Sequence, residues 1–397
     1  MLLIAASVAA TAFSPIAHLV HAQNSDKPLA FGLRMSLLGA SDIAPLLNAA
    51  QVMHTDWVSQ AVTWKQLEPA KGEYHWNELD ATIMAAQSTG MRILLSVAGA
   101  PDWARPAGSD STLDGPPADY GAFAEFVQAL AARYAGKVGA YEVWPEANLR
   151  MNWAAPDGLS PEGYVELLRQ ASIAIRGADP AAMVISGGLA PTGANDGVNA
   201  IDDVVYYQRM YSSGVAQYID ALGVRVDGYN NPPLDSPESA SVATTTYKGH
   251  SSFYFRHYEQ VRKVMVANGD TDHSLWITSA GWASTPTVVP GMEYAADVTE
   301  EQQAAYLVGA LAQAQAQTYV GAVFLYNFNF STSLGATAAV AAYSFIRPDW
   351  SARPAFLMLA ELRQKALVVA SPTDVAPPTD VHVLPNWSPR LGQLTKP

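Results

Sequence analysis

Cysteine is absent from the 397 residues of this chain, and charged residues make up only 15%. The absence of cysteine excludes disulfides, thiolate chemistry and cysteine-based zinc sites. The charge balance is acidic, with a formal net charge of -13, and no segment is rich in lysine or arginine. Because nucleic-acid binding requires a basic surface, we do not expect this chain to bind nucleic acid.

Signature motifs of metal, nucleotide and serine-hydrolase sites are also missing. The 8 histidines are scattered, with no H-x-x-x-H or H-E-x-x-H spacing that would place two of them on one helix face. No G-x-G-x-x-G follows the first apolar run, and no G-x-S-x-G is present. We therefore expect no metal and no cofactor.

The N-terminal segment is apolar and uncharged. Residues 1–22 contain no Asp, Glu, Lys or Arg, and they end in Val20-His21-Ala22, a small-x-small pattern. This composition predicts a secretory signal peptide, although no positive residue precedes the apolar run. If the segment is retained, its length suits a membrane anchor. We therefore expect a secreted or extracytoplasmic protein, with membrane anchoring by the N-terminal segment as the alternative to cleavage.

Residues 29–364 alternate between short apolar runs and helical patterns. The near-continuous apolar runs, for example "MRILLSVAG" and "HSLWITSAGW", are typical of strands buried on both faces. Eight such strand–helix units follow one another. They predict an α/β fold, a (β/α)8 TIM barrel of parallel strands with helical crossovers. A doubly wound open sheet is the rival, but the first strand lacks a phosphate loop.

Residues 365–397 form a proline-rich tail without helical periodicity. Such a segment is expected to be extended, and either flexible or laid along a partner. Because the apolar segment 1–22 could also lie on a partner, the two ends together suggest membrane-protein partners.

Function in a (β/α)8 barrel lies at the carboxyl ends of the strands and in the loops that follow them. Aromatic rings can stack on the apolar faces of sugars, and amides can hydrogen-bond to hydroxyl groups. A single Trp is more often a packing residue, but several at one end of a barrel favour a ligand site. The candidates for binding an oligosaccharide or cell-surface polysaccharide are Trp64, Trp103, Trp144, Asn148, Trp153, Arg225, Tyr229, Trp282, Tyr326 and Asn327.

Six segments carry a resemblance to a known group of enzymes: "W...LEPAKGEYHW", "GMRILLSVAGAPDWARP", "YEVWPEANL", "DALGV....GYNNPP", "LWITSAGW" and "DWSARPAF". On these segments the chain resembles retaining glycoside hydrolases of clan A, most closely family 39 and the family 5-like cellulase or xylosidase-type barrels. The resemblance covers about residues 29–362. It implies a barrel that hydrolyses O-glycosyl bonds with two carboxyl groups.

Four positions depart from the pattern that the resemblance implies. Glu146 matches the general acid/base of W-N-E-P, but Pro145 replaces the Asn before it. Ser279 stands where T-E-x-G-W has the nucleophilic Glu. On strand six the family pattern is H-x-Y, and here Arg225 replaces the His and Asp227 replaces the Tyr.

These departures predict that retaining catalysis has been lost. Retaining hydrolysis needs two carboxyl groups about 5–5.5 Å apart, and an alcohol at Ser279 is a poor nucleophile without an adjacent base. A permanent cation at Arg225 would favour an ionised Glu146, whereas a general acid must hold its proton. We therefore expect an exported pseudoenzyme that binds carbohydrate or serves as an extracytoplasmic subunit of a membrane or cell-surface assembly.

Other readings of these residues stay open. An active glycosidase would act on a β-linked polysaccharide with Glu146 as general acid and Asp227 as substitute nucleophile or as base. Arg225 and Asp227 lie two residues apart on one strand, so pairing between them is favoured over catalysis. Glu68 is interpreted as a structural cap at the turn after strand two. A membrane-anchored structural protein without a ligand is the third alternative.

Overall fold

The structure is a computed structural model that describes residues 29–40, 42–239, 247–335, 337 and 339–370, with side chains described as far as residue 365. The predicted N-terminal segment 1–22 and most of the predicted tail 365–397 lie outside the described residues. Within the described ranges, no helix is long and apolar enough to cross a membrane.

Short apolar runs of the sequence form the strands of one sheet. These strands are Ala30–Met35 (β1), Trp57–Thr63 (β2), Arg92–Ala98 (β3), Ala140–Val143 (β4), Met183–Ser186 (β5), Ala221–Asp227 (β6), Ser274–Gly281 (β7) and Val320–Leu325 (β8). Each strand pairs in parallel with the next along the chain, and β1 pairs with β8, so the sheet closes into a barrel. The predicted (β/α)8 TIM barrel is confirmed.

The helical patterns fold into crossovers on the outside of the barrel. In the described part of the chain the α-helices are Ala44–Val52 (α1), Trp64–Leu67 (α2), Asn77–Ser88 (α3), Tyr120–Arg133 (α4), Pro161–Ala178 (α5), Asp203–Ser212 (α6), Tyr258–Ala267 (α7), Glu300–Gln315 (α8), Phe330–Ser333 (α9) and Pro354–Ala370 (α10). Several begin at side-chain caps, and Thr299 with Gln302 forms a complete capping box before α8.

The predicted end of the last helix is wrong. It was expected at residue 364, but α10 continues to Ala370, because within the helix no proline or glycine follows Pro354 at its first position. After β6, α7 begins only at Tyr258. Before it the chain makes two short 3-10 turns, Ser251–Phe253 and Phe255–His257.

The barrel interior is built in layers, because every second residue of a strand points inward. The lower layer is apolar and aromatic: Trp57, Leu94, Ala140, Ile185, Ala221, Trp276, Ala322 and Phe324. Gly32 is required on β1 because a Cβ there would lie 2.3 Å from Phe324 Cδ1. Two residues further along three strands, the inward positions are polar: Arg34, Ser96 and Glu142. The polar layer therefore lies at the carboxyl ends of the strands, where a site is expected.

Candidate functional site at the barrel mouth

Glu146 lies just beyond the end of β4, where the chain leaves the barrel. Trp144 and Glu146 both have positive φ, 52° and 58°, a backbone region that residues with a Cβ rarely adopt. The Glu146 N–H donates to Gly188 O at 2.9 Å, which ties this turn to the end of β5. Non-glycine residues that the surrounding structure holds at positive φ cluster at functional sites, so the turn after β4 is a candidate functional segment.

Both carboxylate oxygens of Glu146 accept hydrogen bonds. Arg225 Nη1 donates to Oε1 at 2.7 Å, and Asn152 Nδ2 donates to Oε2 at 3.0 Å. The Glu146 side chain is 31% exposed and that of Arg225 is 13% exposed. Each carboxylate oxygen of Glu146 therefore accepts one hydrogen bond from a neighbouring side chain.

Arg225 does not have the partner that the sequence suggested. Pairing with Asp227 was expected, but the ion pair of Arg225 is with Glu146, 79 residues earlier. A register shift between Val224 and Arg225 interrupts the regular pairing of β6 with β7 and sets Arg225 opposite Ser279. Burial lowers the pKa of Arg225, but the neighbouring carboxylates of Glu146 and Glu142 outweigh it and raise that pKa above its usual value.

Asp227 is half-buried at the end of β6, two residues beyond Arg225. Burial raises the pKa of Asp227 to about 7; Arg225 opposes this rise and Glu146 adds to it. Near neutral pH this carboxyl group is therefore divided between its neutral and charged forms. Its side chain has no hydrogen bond to another described residue.

Two further charged residues lie beneath Glu146. Glu142 is fully buried and accepts hydrogen bonds from Ser96 Oγ at 2.6 Å and Gly188 N at 3.0 Å. Arg34, at the end of β1, has its guanidinium carbon 5.9 Å from the centroid of the Tyr326 ring. Burial and the nearby Arg225 lower the pKa of Arg34. Sequence reasoning missed Arg34, although an arginine inside the apolar run "AFGLRM" was a usable signal.

Four of the predicted sugar-stacking rings are packed in the core. Trp64, Trp144, Trp153 and Trp282 are at most 1% exposed. Trp144 meets Trp153 edge to face at a centroid distance of 5.8 Å, and its indole N–H donates to Asn152 O. The prediction that these four rings contact a ligand is wrong, because their faces are covered by neighbouring rings and helices.

The two predicted amides are also buried and serve the backbone. Asn148 Nδ2 donates to Ala190 O and Ile201 O, and its Oδ1 accepts from Ala190 N. Asn327 donates to Val340 O and accepts from Phe330 N and the Ser344 hydroxyl. Neither amide has a free face for a sugar hydroxyl, so the prediction of ligand binding is wrong for both.

Three predicted aromatic residues remain half-buried at the mouth: Trp103, Tyr229 and Tyr326. Tyr229 has a φ of 51° and stacks on Tyr247 at a centroid distance of 5.2 Å. Tyr326 lies edge to face with Tyr343, which sequence reasoning did not single out. Ligand contact by these three rings stays a prediction.

Glu68 has the structural role that was predicted for it. It is 4% exposed, accepts from Trp64 Nε1 at 2.6 Å and closes the turn through Gly72 N at 2.7 Å. Beside this turn lies a groove of about 490 Å³ at the ends of β1 and β2. Aromatic and amide side chains line it, among them Tyr74, Trp76 and Gln66. No group of three or more metal-ligating side chains occurs among the residues that the structure describes.

Comparison with solved structures decides the fold family. A family 39 glycoside hydrolase from the gut symbiont Bacteroides cellulosilyticus WH2 superposes with a TM-score of 0.63 at 18% identity, covering 85% of this chain and 64% of that one. A glucosidase from Croceicoccus marinus gives a TM-score of 0.62 at 16% identity, covering 85% and 67%. The fold is a (β/α)8 barrel like those of these glycoside hydrolases.

Other matches to this glycoside-hydrolase-like barrel agree. GH5_18 from Streptomyces cattleya, solved with GlcNAc, gives a TM-score of 0.60 at 15% identity and covers 89% of this chain and 83% of that one. Residues 43–113 match glycoside hydrolase family 42, described as beta-galactosidase. No curated protein matches the sequence. The chain spans less than two thirds of the family 39 enzyme, and identities this low carry the fold alone.

Proposed function

We propose that this glycoside-hydrolase-like barrel is a carbohydrate-binding protein that does not hydrolyse its ligand and acts outside the cytoplasm. The observation that carries this proposal is the 2.7 Å ion pair from Arg225 Nη1 to Glu146 Oε1. A general acid must hold a proton and release it to the glycosidic oxygen. Glu146 instead accepts from a permanent cation on one oxygen and from Asn152 on the other.

The chemistry on the opposite side of the site supports the same conclusion. Ser279 lies on β7, is 7% exposed and is aligned with Arg225 across the strand pair. A serine cannot stabilise a developing oxocarbenium ion as a carboxylate does, and a glycosyl ether formed on it would not turn over. Attack on the sugar carbon, the step that needs a second carboxylate, therefore has no nucleophile at this position.

Ligand binding does not need the missing carboxylate. The mouth keeps half-buried aromatic residues, Trp103, Tyr229 and Tyr326, and the groove of about 490 Å³ near β1 and β2 offers aromatic and amide side chains. Concave sites with aromatic walls and a few polar groups are typical of small-molecule and saccharide recognition. Oligosaccharide or cell-surface polysaccharide binding is therefore the function that these side chains favour.

Export and assembly belong to the same proposal. The apolar composition of segment 1–22 favours secretion or anchoring, and segment 365–397 is rich in proline. A binding barrel with such ends would work as an extracytoplasmic subunit beside membrane-protein partners. Co-purification of the full chain with membrane proteins, lost on removal of either end, is the outcome expected for this arrangement.

One observation favours an active glycosidase as the second candidate. Asp227 has a pKa raised to about 7 by burial, a value suited to a general acid near neutral pH. An inverting mechanism would then need a second carboxylate as base, about 6.5–9.5 Å away. Glu146 is the neighbouring carboxylate, but its ion pair with Arg225 occupies it, so we favour binding over turnover.

Calorimetry combined with product analysis tests the proposal. The full chain is titrated with β-linked gluco-, xylo- and mannooligosaccharides, and the recovered ligand is analysed by chromatography after prolonged incubation. We expect binding to at least one class with the oligosaccharide recovered intact. Tyr326→Ala is expected to weaken binding at least tenfold if its ring stacks on the sugar.

The control is Tyr218→Ala, a half-buried tyrosine after α6 that is remote from the carboxyl ends of the strands. This variant is expected to bind as the wild type does. Recovery of shortened oligosaccharides would contradict the proposal, and so would the absence of binding to every class tested.

A further inference from the structure

Arg34 presents an unsatisfied cation to the polar layer of the barrel. Its Nε and Nη1 atoms are shielded from solvent and have no hydrogen-bond partner among the described residues. The only aromatic contact of its guanidinium that the structure describes is with Tyr326, at 5.9 Å. A buried donor without an acceptor costs about 1–3 kcal/mol, and more for a charged group, so such a donor points to a missing partner.

Arg225 adds a second set of donors to the same place. Its Nη1 is taken by Glu146, but its Nε is buried and has no partner in the described part of the chain. The two guanidinium groups are near enough that Arg225 lowers the pKa of Arg34. Two like charges that lie close together in a half-buried site are stabilised by an anion between them.

The carboxylates of the site do not fill this role. Glu142 accepts from Ser96 Oγ and Gly188 N, and Glu146 accepts from Arg225 and Asn152. Asp227, the third carboxyl group of the site, makes no hydrogen bond to a described residue, so none of the three accepts from the orphan nitrogens of Arg34. The resemblance to clan A implies a further carboxylate on β7, where this chain has Ser279. Ser279, which is aligned with Arg225, is a neutral hydroxyl and supplies no negative charge to the two arginines.

We infer that the ligand itself supplies the missing anion, and that the saccharide bound at the mouth carries a carboxylate, as uronic acid residues do. This inference rests on the proposed carbohydrate-binding function. A planar carboxylate matches the fork of a guanidinium group and can accept from Arg34 and Arg225 together. The Tyr326 ring beside Arg34 offers the apolar surface against which the sugar ring would lie.

Sulfate esters and phosphates are also anionic, but their shape differs from that of a carboxylate. A sulfate ester or phosphate is tetrahedral and strongly hydrated, whereas the site has few remaining donors: the orphan nitrogens of Arg34 and Arg225. We therefore assign the site to a carboxylate, and sulfated saccharides are a separate arm of the test.

The test compares acidic and neutral forms of the same saccharides. The full chain is titrated by calorimetry with oligogalacturonate, oligomannuronate and glucuronate-containing xylooligosaccharides, and with the same preparations after reduction of their carboxylates to alcohols. We expect at least one acidic form to bind tenfold or more tightly than its reduced counterpart. Arg34→Met is expected to remove this preference while leaving the affinity for the reduced form unchanged.

Two variants control for folding and for general charge. Arg34→Lys keeps the charge without the planar fork and is expected to retain part of the preference. Arg150→Met removes an exposed arginine just after β4 and is expected to bind as the wild type does. Arg34→Met also removes a buried cation without a partner, so its melting temperature is expected not to fall.

Four results would overturn the inference. Equal affinity for acidic and reduced forms, or an unchanged preference in Arg34→Met, would exclude a carboxylate at Arg34 while leaving carbohydrate binding intact. Preference for a sulfated oligosaccharide over every carboxylated one would assign the site to a different anion. Failure of every acidic and reduced saccharide to bind would overturn both this inference and the proposed function.

Discussion

Arg225 Nη1 and Glu146 Oε1 lie 2.7 Å apart and join the ends of β6 and β4 across the barrel mouth. The Arg225 side chain is 13% exposed, so its charge is largely removed from water and depends on this carboxylate for compensation. Glu146 therefore compensates the charge of Arg225. The predictions below follow from this pair and its surroundings.

Replacing Glu146 is expected to destabilise the protein. Catalytic carboxylates are often costly to stability, so their removal tends to be neutral or stabilising. Glu146→Gln instead leaves the Arg225 cation without its counter-charge, and we expect a loss of about 1–3 kcal/mol in the free energy of unfolding. Urea titration of Glu146→Gln, Arg225→Met and the double variant should give a coupling energy of about 1–2 kcal/mol.

The exposed ion pair of Lys65 with Asp114 is a matched control for this cycle. Its side chains are 48% and 36% exposed, and exposed pairs contribute little. The cycle of Lys65→Met with Asp114→Asn should therefore give less than about 0.5 kcal/mol. If the coupling of Arg225 with Glu146 is no larger than this, the pair does not hold the site together.

Asp227 is expected to make stability depend on pH. Its folded pKa of about 7 lies above the usual 3.8, so the folded state binds the proton more tightly than the unfolded state does. The stabilisation is fully present below about pH 4 and is lost as the pH rises through about 7. In Asp227→Asn this loss disappears, so the variant should gain up to about 4 kcal/mol relative to the wild type between pH 4 and pH 8.

The exposed Asp102 provides the comparison for this titration. Asp102→Asn replaces an exposed carboxylate and should change the free energy of unfolding by less than about 0.5 kcal/mol. Parallel stability curves for Asp227→Asn and the wild type across this range would show that burial does not raise the pKa of Asp227.

Restoring the missing carboxylate alone is not expected to restore hydrolysis. In Ser279→Glu a new carboxylate would face Arg225 and the unsatisfied donors of Arg34, but Glu146 would still accept from Arg225. The variant should therefore gain stability or stay neutral and show no aryl glycoside turnover. Adding Arg225→His and Pro145→Asn to this variant frees Glu146 and is expected to produce measurable turnover. Activity in Ser279→Glu alone would show that Arg225 does not prevent Glu146 from acting as a general acid.

Asn148 provides a test of a structural assignment. Its amide makes hydrogen bonds to Ala190 and Ile201 in a fully buried position. Asn148→Ala leaves these backbone groups unsatisfied and should cost about 2–4 kcal/mol in the free energy of unfolding. At a temperature where the variant is folded, its affinity for saccharide should equal that of the wild type, whereas a selective loss of affinity would return Asn148 to the ligand site.

The barrel was predictable from the sequence because its signal is repeated. Each strand is a largely buried apolar run, and a helical pattern follows each of them, so eight weak signals agree on one topology. The predicted helix end at residue 364 was wrong because it was placed where the proline-rich tail was thought to begin. The first proline of that tail comes only at residue 372, and the helix continues to Ala370.

The places of the candidate residues at the strand ends were predictable, but the directions of their side chains were not. Trp144 lies beyond the last paired residue of β4 with a φ of 52°, so the alternation of inward and outward residues no longer applies, and its ring turns into the core. The partner of Arg225 was missed for a similar reason. Asp227 is near in sequence, but Glu146 approaches from another strand, and sequence separation does not reveal such a contact.

The most direct measurement of the central claim is the turnover of aryl β-glycosides by the wild type and by Glu146→Gln, with an active family 39 enzyme assayed in parallel. The substrates are aryl β-D-glucosides, xylosides, galactosides and glucuronides. Their aryl alcohol is a good leaving group, so it needs little protonation by a general acid. We predict that release of the aryl alcohol will equal that of buffer for both proteins. Release by the wild type that is abolished in Glu146→Gln would contradict the account, because it would make Glu146 a working catalyst.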